Sequence, residues 1–204
     1  MHRLFYAQGS SSLAAHIALE EAGIEFDVQR IDEDAGEHRR PPYLAINPRG
    51  KVPALRLPDG SVLVENIAIQ FYAARSNPAA ALLPPDPAGE AQVLAIMALF
   101  ATAVHPAFSH FFAPQRFTGD PVGETGVRER GLATFHEHCR DIDARLAGRV
   151  WLFDTYTLAD GYAFVFYGWG LRAGLPMEAL VHYTAHRARM MARPAVCRVL
   201  SREA

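Results

Sequence analysis

The chain has 204 residues, of which 50% are hydrophobic and 21% charged. That is ordinary globular usage and excludes a largely disordered polymer. Twenty Lys and Arg against 22 Asp and Glu leave a net charge of −2, so no overall positive field gathers phosphates and nucleic-acid binding is disfavoured.

The two cysteines, Cys139 and Cys197, are too few for a disulfide framework and suit a reducing compartment. The opening residues break at Gly9, and no later run approaches the roughly 18 apolar residues that a membrane span needs. The sequence therefore predicts a soluble, cytoplasmic protein.

Up to about residue 76 short β-like runs alternate with helical stretches, and from about residue 89 onward the periodicity is helical. Residues 3–7 read as a strand, 9–12 as a turn, and 13–22 as a helix closed by Gly23. A second strand follows over 26–31, then a polar stretch that leads through Pro41-Pro42 to a short helical turn near 43–46. Gly50 turns the chain into a strand that starts at Val52-Pro53, where a proline allows a cis peptide bond. Asp59-Gly60 marks the turn of a hairpin pairing 54–57 with 61–64, and 66–75 forms a helix.

The prolines of 77–87 remove backbone donors and interrupt regular structure. They separate a mixed α/β domain (1–76), through a linker (77–88), from an all-helical domain (89–204). In the latter, 90–112 reads as a helix buried around much of its circumference, and 123–146 as an amphipathic helix. Thr157 and Asp160 form a capping box for an apolar helix over 161–170 that belongs in the core.

Several segments are informative together: Leu4-Phe5-Tyr6, the run from Gly9 through Ser10-Ser11-Ser12 to Leu19, Asn47-Pro48-Arg49-Gly50-Lys51-Val52-Pro53-Ala54-Leu55, and Glu65-Asn66-Ile67-Ala68-Ile69. The helical half adds Val104-His105-Pro106-Ala107-Phe108, Thr157-Leu158-Ala159-Asp160 and Arg193-Pro194-Ala195-Val196. In this order and spacing the chain resembles a glutathione S-transferase, most closely the bacterial beta class. The resemblance implies a thioredoxin-like N-terminal domain that binds glutathione and an all-α C-terminal domain that supplies an electrophile pocket. It also implies a cytoplasmic homodimer engaged in detoxification, with no metal and no nucleic-acid or membrane partner.

Glutathione is an anionic peptide that needs carboxylate donors, a backbone edge and a group favouring thiolate. The resemblance assigns its binding to Tyr6, Lys51, Val52, Pro53, Glu65 and Asn66. Val52-Pro53 offers the edge or is an ordinary rigid turn. Glu65 and Asn66 meet the γ-glutamyl end at a helix N-terminus or simply cap that helix.

Beta-class members carry a cysteine where Ser11 stands, so mixed-disulfide chemistry is not expected in this loop. Ser11, with help from Ser10 or His105, is expected to stabilise the thiolate; the competing reading is that the three serines cap the helix. Tyr6 is a second candidate donor, although core packing suits it better. The acid that relatives place just before His105 is absent here, where Ala103 and Val104 stand.

Phe108, Phe112 and Trp169 are candidates for the pocket wall. Glu178, His182 and His186 have a ligand-like spacing, as does the run His136-Glu137-His138-Cys139, but a solvated face accounts for both better than a metal does. Arg187, Arg189 and Arg193 read as surface charge. The expected reaction is conjugation of glutathione to a small hydrophobic electrophile. Isomerase, lyase and dehalogenase variants share the same activated thiolate, and a non-catalytic glutathione-binding or assembly protein is the competing class.

Overall fold

A computed structural model describes residues 1–204. Backbone contacts divide it into one unit of Met1–Glu90 with Met191–Ala204 and a second of Ala91–Met190.

The first unit is built on strands β1 (His2–Tyr6), β2 (Phe26–Arg30), β3 (Ala54–Arg56) and β4 (Val62–Val64). Their order in the sheet is β2-β1-β3-β4, with β1 parallel to β2 and antiparallel to β3, and β3 antiparallel to β4. The parallel pair requires a crossover, which is helix α1 (Ser12–Glu21). Alternation along β1 buries both faces of the sheet. Phe5 joins Ile31, Tyr43 and Ala54 in one cluster, while the Tyr6 ring meets His16 of α1.

Gly23, at φ +66°, ends α1 as predicted. Its N–H donates to the Glu20 carbonyl and that of Ile24 to the Leu19 carbonyl, the paired bonds of a left-handed helix stop. Helix α2 (Pro41–Leu44) is a single turn, and α3 (Asn66–Ser76) packs beside α1.

The second unit starts within α4 (Pro87–Leu99), which continues through a π turn at Phe100–Val104 into α5 (His105–Phe112). The stretch Pro87–Phe112 is long and apolar enough, with a mean hydropathy of 1.7, to meet the length and composition of a membrane span. Polar and small residues interrupt the stretch, so a count of consecutive apolar positions does not register it. Nor is α4 buried around most of its circumference: Val93 and Met97 are buried, whereas Leu94 and Leu99 are exposed. Mean apolarity is blind to direction, and only one stripe of this helix has packing partners.

Helix α6 (Pro121–Leu146) is capped by the Asp120 carboxylate, which accepts from the Val122 N–H. Helix α7 (Leu158–Arg172) runs through the core, as its composition predicts. Tyr183 of α8 (Val181–Met191) donates from its phenol to the Ala163 carbonyl of α7.

The last helix, α9 (Pro194–Glu203), belongs with the first unit, which differs from a helical domain running unbroken over 89–204. Its physical partner is α1. Arg193 grips Glu21 with two bonds of 2.5 and 3.0 Å, so it is a structural tie rather than a surface charge. Arg198 and Arg202 both donate to Glu20. Buried Glu203 lies 2.8 Å from buried His16.

Candidate functional site

The loop between β1 and α1 is closed by its own serines. The Ser12 hydroxyl, fully buried, donates to the Ala7 carbonyl (3.1 Å) and accepts from the Ala7 N–H (3.2 Å). Its proton is thereby committed, so the 2.7 Å contact with Ser10 must be filled by the Ser10 proton. Ser10 Oγ also accepts from the Ser12 N–H, and it is Ser10 that supplies the turn cap. The Ser11 hydroxyl makes no capping bond and joins none of these contacts, although Ser11 is only 6% exposed. The structure thus separates three adjacent serines that composition leaves equivalent.

The second segment is held from behind. Tyr43 Oη and Asn47 Nδ2 both donate to the Lys51 carbonyl, at 2.6 and 2.7 Å, and Asn47 Oδ1 accepts from the Arg49 N–H. Burial pushes the Tyr43 phenol up to about 12, so it stays a donor. The Val52–Pro53 bond is cis, and the sheet ladder begins only at Ala54. The Lys51 side chain is exposed. The role of Tyr43 was missed in the sequence; a tyrosine four residues before the Asn47 motif was its only signal.

Glu65 has φ +73°, an uncommon conformation for a side chain with a Cβ, and precedes the first turn of α3. Its carboxylate pairs with Arg49 Nη1 at 2.6 Å on the exposed side. The Asn66 amide does not point outward: its Nδ2 donates to the Ser11 carbonyl at 2.7 Å, and its Oδ1 accepts from Gln70 Nε2 at 3.0 Å. Within α3 itself the backbone N–H groups of the first turn have no intrahelical acceptor. Tyr6 is buried against His16, and burial together with the Glu203 charge raises its phenol above the ordinary value, in keeping with packing.

In the second unit His105 follows directly on the π turn, the kind of helix distortion that often marks a working residue. Its Nδ1 shares a 3.3 Å hydrogen bond with Tyr162 Oη, and its ring meets the edge of Trp169 at 4.9 Å. Trp169 stacks with Phe108 at 4.4 Å and 22°, and Phe112 stacks with Phe108 at 6.0 Å and 12°. Phe108 and Trp169 are buried, whereas Phe112 is 68% exposed. The three aromatic candidates therefore form one contiguous stack ending at solvent. A groove of about 540 Å³ between α5 and α6 is lined by other residues, among them His110, Arg130 and His138.

The glutathione S-transferase N-terminal domain family matches residues 10–76. Over 98% of its length the chain is 34% identical to glutathione S-transferase GstA of Escherichia coli O157:H7, 98% of which is covered. The chain belongs to the glutathione S-transferase family. Its fold matches that of a glutathione transferase homologue from Sulfitobacter, solved with bound glutathione, at a TM-score of 0.94 and 32% identity over 99% of this chain and 98% of that one. A bacterial beta-class transferase from Sphingomonas chungbukensis matches at 0.88 and 31% identity over 98% of each chain.

The metal-like spacings resolve differently in this transferase. His186 does not lie on a solvated face: it is fully buried and its Nε2 lies 2.9 Å from Asp160 Oδ1. Glu178 sits in a separate short turn before α8, so the three residues do not share one helix. Cys139 is buried in the core of the second unit. Arg187 and Arg189 lie over the rings of Tyr167 and Trp151.

Proposed function

We propose that this transferase binds glutathione on its first unit and uses the Ser11 hydroxyl to hold the sulfur as a thiolate, which attacks a small hydrophobic electrophile. The observation that carries the assignment is the hydrogen-bond saturation of the loop. The protons of Ser10 and Ser12 are engaged within it, and Ser11 alone retains a hydroxyl without a structural partner at the first turn of α1. A thiol of pKa about 8.5 is mostly neutral at pH 7. A charged acceptor strengthens a hydrogen bond to about 1.5–3 kcal/mol, and a helix N-terminus adds roughly 0.3–1 kcal/mol. Together these lower the thiol pKa by about one unit or more, since one unit corresponds to about 1.4 kcal/mol.

Val52, beside the latched Lys51 carbonyl, would pair the cysteinyl backbone, while Glu65 and the first turn of α3 would receive the γ-glutamyl end. Lys51 would add a charge for the glycyl carboxylate. Within the second unit, Tyr162 orients the ring of His105, a candidate donor, and the stacked Phe108, Phe112 and Trp169 offer an apolar wall suited to a hydrophobic electrophile. The working form is a cytoplasmic homodimer in detoxification. The competing class, a non-catalytic binding protein, leaves the uncommitted Ser11 hydroxyl without a purpose.

Calorimetry with glutathione and an ultraviolet thiolate titration of the bound tripeptide test this reading. Ser11→Ala is expected to raise the bound thiol pKa by about one unit and to slow conjugation of an activated aryl chloride roughly tenfold or more. Unchanged titration and rate would reduce Ser11 to a filler of the turn, and the absence of any saturable heat would remove glutathione as the ligand.

A further inference from the structure

We infer that Gln70 and Asn66 form a positioning relay that sets the Ser11 peptide, and hence its hydroxyl, relative to the N-terminus of α3. The inference rests on Ser11 acting as the thiolate donor.

The direction of the relay is dictated by chemistry. The Ser11 carbonyl can only accept, so the Asn66 amide must present its nitrogen there, at 2.7 Å. That turns Asn66 Oδ1 toward Gln70, which must present Nε2 in turn, at 3.0 Å. Gln70 is fully buried, and its remaining atom, Oε1, is buried without a hydrogen-bond partner.

An orphaned buried amide oxygen is costly, and an apolar side chain of similar length would fill the space without that cost. The Nε2 donor is the only polar interaction that Gln70 makes in exchange, and it serves solely to aim Asn66. The Ser11 carbonyl already accepts from the Ala14 N–H at 3.1 Å, so α1 starts without a second donor. What Asn66 adds is a tie across 55 residues of sequence between two helix starts. One start carries the thiol-activating hydroxyl and the other receives the γ-glutamyl end. A rotation of the Ser11 peptide displaces the hydroxyl while leaving the backbone contacts of the tripeptide in place. The relay is accordingly expected to act on the chemical step more than on binding.

The test is a mutant cycle of Gln70→Met with Ser11→Ala, read by the thiolate titration of bound glutathione and by kcat and KM with an activated aryl chloride. Gln70→Met is expected to raise the bound thiol pKa and to lower kcat about threefold or more, the lower range of coupling within a hydrogen-bond network. KM for glutathione should stay within about twofold of the parent. In the Ser11→Ala background the same substitution should change neither quantity. Asn66→Asp, isosteric but without the donor, should reproduce the effect and serves in place of Gln70→Met if that variant does not fold.

Equal effects of Gln70→Met in both backgrounds would make Gln70 merely structural and overturn the relay. So would a parent-like titration and kcat in Gln70→Met while Ser11→Ala shifts both. If Ser11→Ala itself shifts nothing, the thiolate role of Ser11 fails first, and the relay falls with it for that separate reason.

Discussion

Asp160 and His186 meet at 2.9 Å with both side chains fully buried, joining the first turn of α7 to α8. The same carboxylate accepts from the backbone N–H groups of Leu152 and Thr157, at 2.9 and 2.8 Å. One side chain therefore caps a core helix, fixes the preceding loop and pins a second helix. Asp160→Ala should lower stability by about 3–5 kcal/mol, because it orphans several buried donors at once. His186→Ala, which leaves the two backbone bonds intact, should cost about 1–3 kcal/mol. Urea unfolding measures both as a fall in midpoint; an Asp160→Ala loss below that of His186→Ala would contradict this division.

Gly131 allows α6 to approach α5. A Cβ there would lie 2.6 Å from His110 Cβ, 2.7 Å from the Phe111 nitrogen and 2.9 Å from the Ala107 oxygen. Alanine gains about 1 kcal/mol of helix propensity over glycine, but overpacking costs about 1–3 kcal/mol, and two of these obstacles are backbone atoms that cannot rotate aside. Gly131→Ala should therefore destabilise. At Gly126, in the same helix, a Cβ meets nothing within 4 Å, so Gly126→Ala should raise the thermal midpoint. Opposite signs from the same substitution in one helix are the measurable outcome.

The two thiols should differ in reactivity. Burial pushes Cys139 up to about 12, which removes the nucleophilic thiolate at neutral pH. Cys197 is exposed, with its Sγ 3.1 Å from the Met191 carbonyl. Iodoacetamide is expected to modify one cysteine in the native protein and both in urea. Mass spectrometry of native protein showing the label on Cys139 would contradict the packed core of α6.

Attachment of α9 should weaken in acid. Partial burial raises the Glu20 carboxyl, but the hydrogen bonds and charges of Arg198 and Arg202 outweigh it, so the group lies below its ordinary value of 4.5. A carboxyl depressed in the folded state contributes stability above its unfolded pKa and loses it as the pH falls through the lower folded value. The protection factors of the α9 amides, taken relative to the intrinsic exchange rate at each pH, should therefore fall as the pH drops below about 4.5. The effect should be modest, since the arginines are well exposed. Glu20→Gln should abolish this fall, and an unaltered acid profile in that variant would assign it elsewhere.

Much of the scaffold was legible because it is written over short distances. Strand β1, the glycine stop of α1 at Gly23, the turn around Asp59-Gly60 and the Thr157 and Asp160 box each depend on residues a few positions apart. Their conformations follow from local sterics and orphan donors. The proposed site segments are each one continuous run, including the serine loop, the Val52-Pro53 turn and the start of α3, so their local conformations follow from the same short-range rules.

The side-chain partners were not legible. His186 on α8 shares its polar spacing with a solvated helix face, and its burial depends on Asp160, 26 residues away. Arg193 reads as terminal charge until Glu21 is placed beside it, 172 residues earlier in the chain. Asn66 reads as a donor to ligand, yet in the fold its amide reaches the Ser11 carbonyl.

The order of strands and helices and the family follow from local patterns, because period, capping and turn formation act within a few residues. Which of three neighbouring hydroxyls stays uncommitted, and which helix α9 accompanies, follow from the folded chain alone. A hydroxyl has one proton and a carboxylate a few lone pairs, and the partners that use them are brought together only by long-range packing.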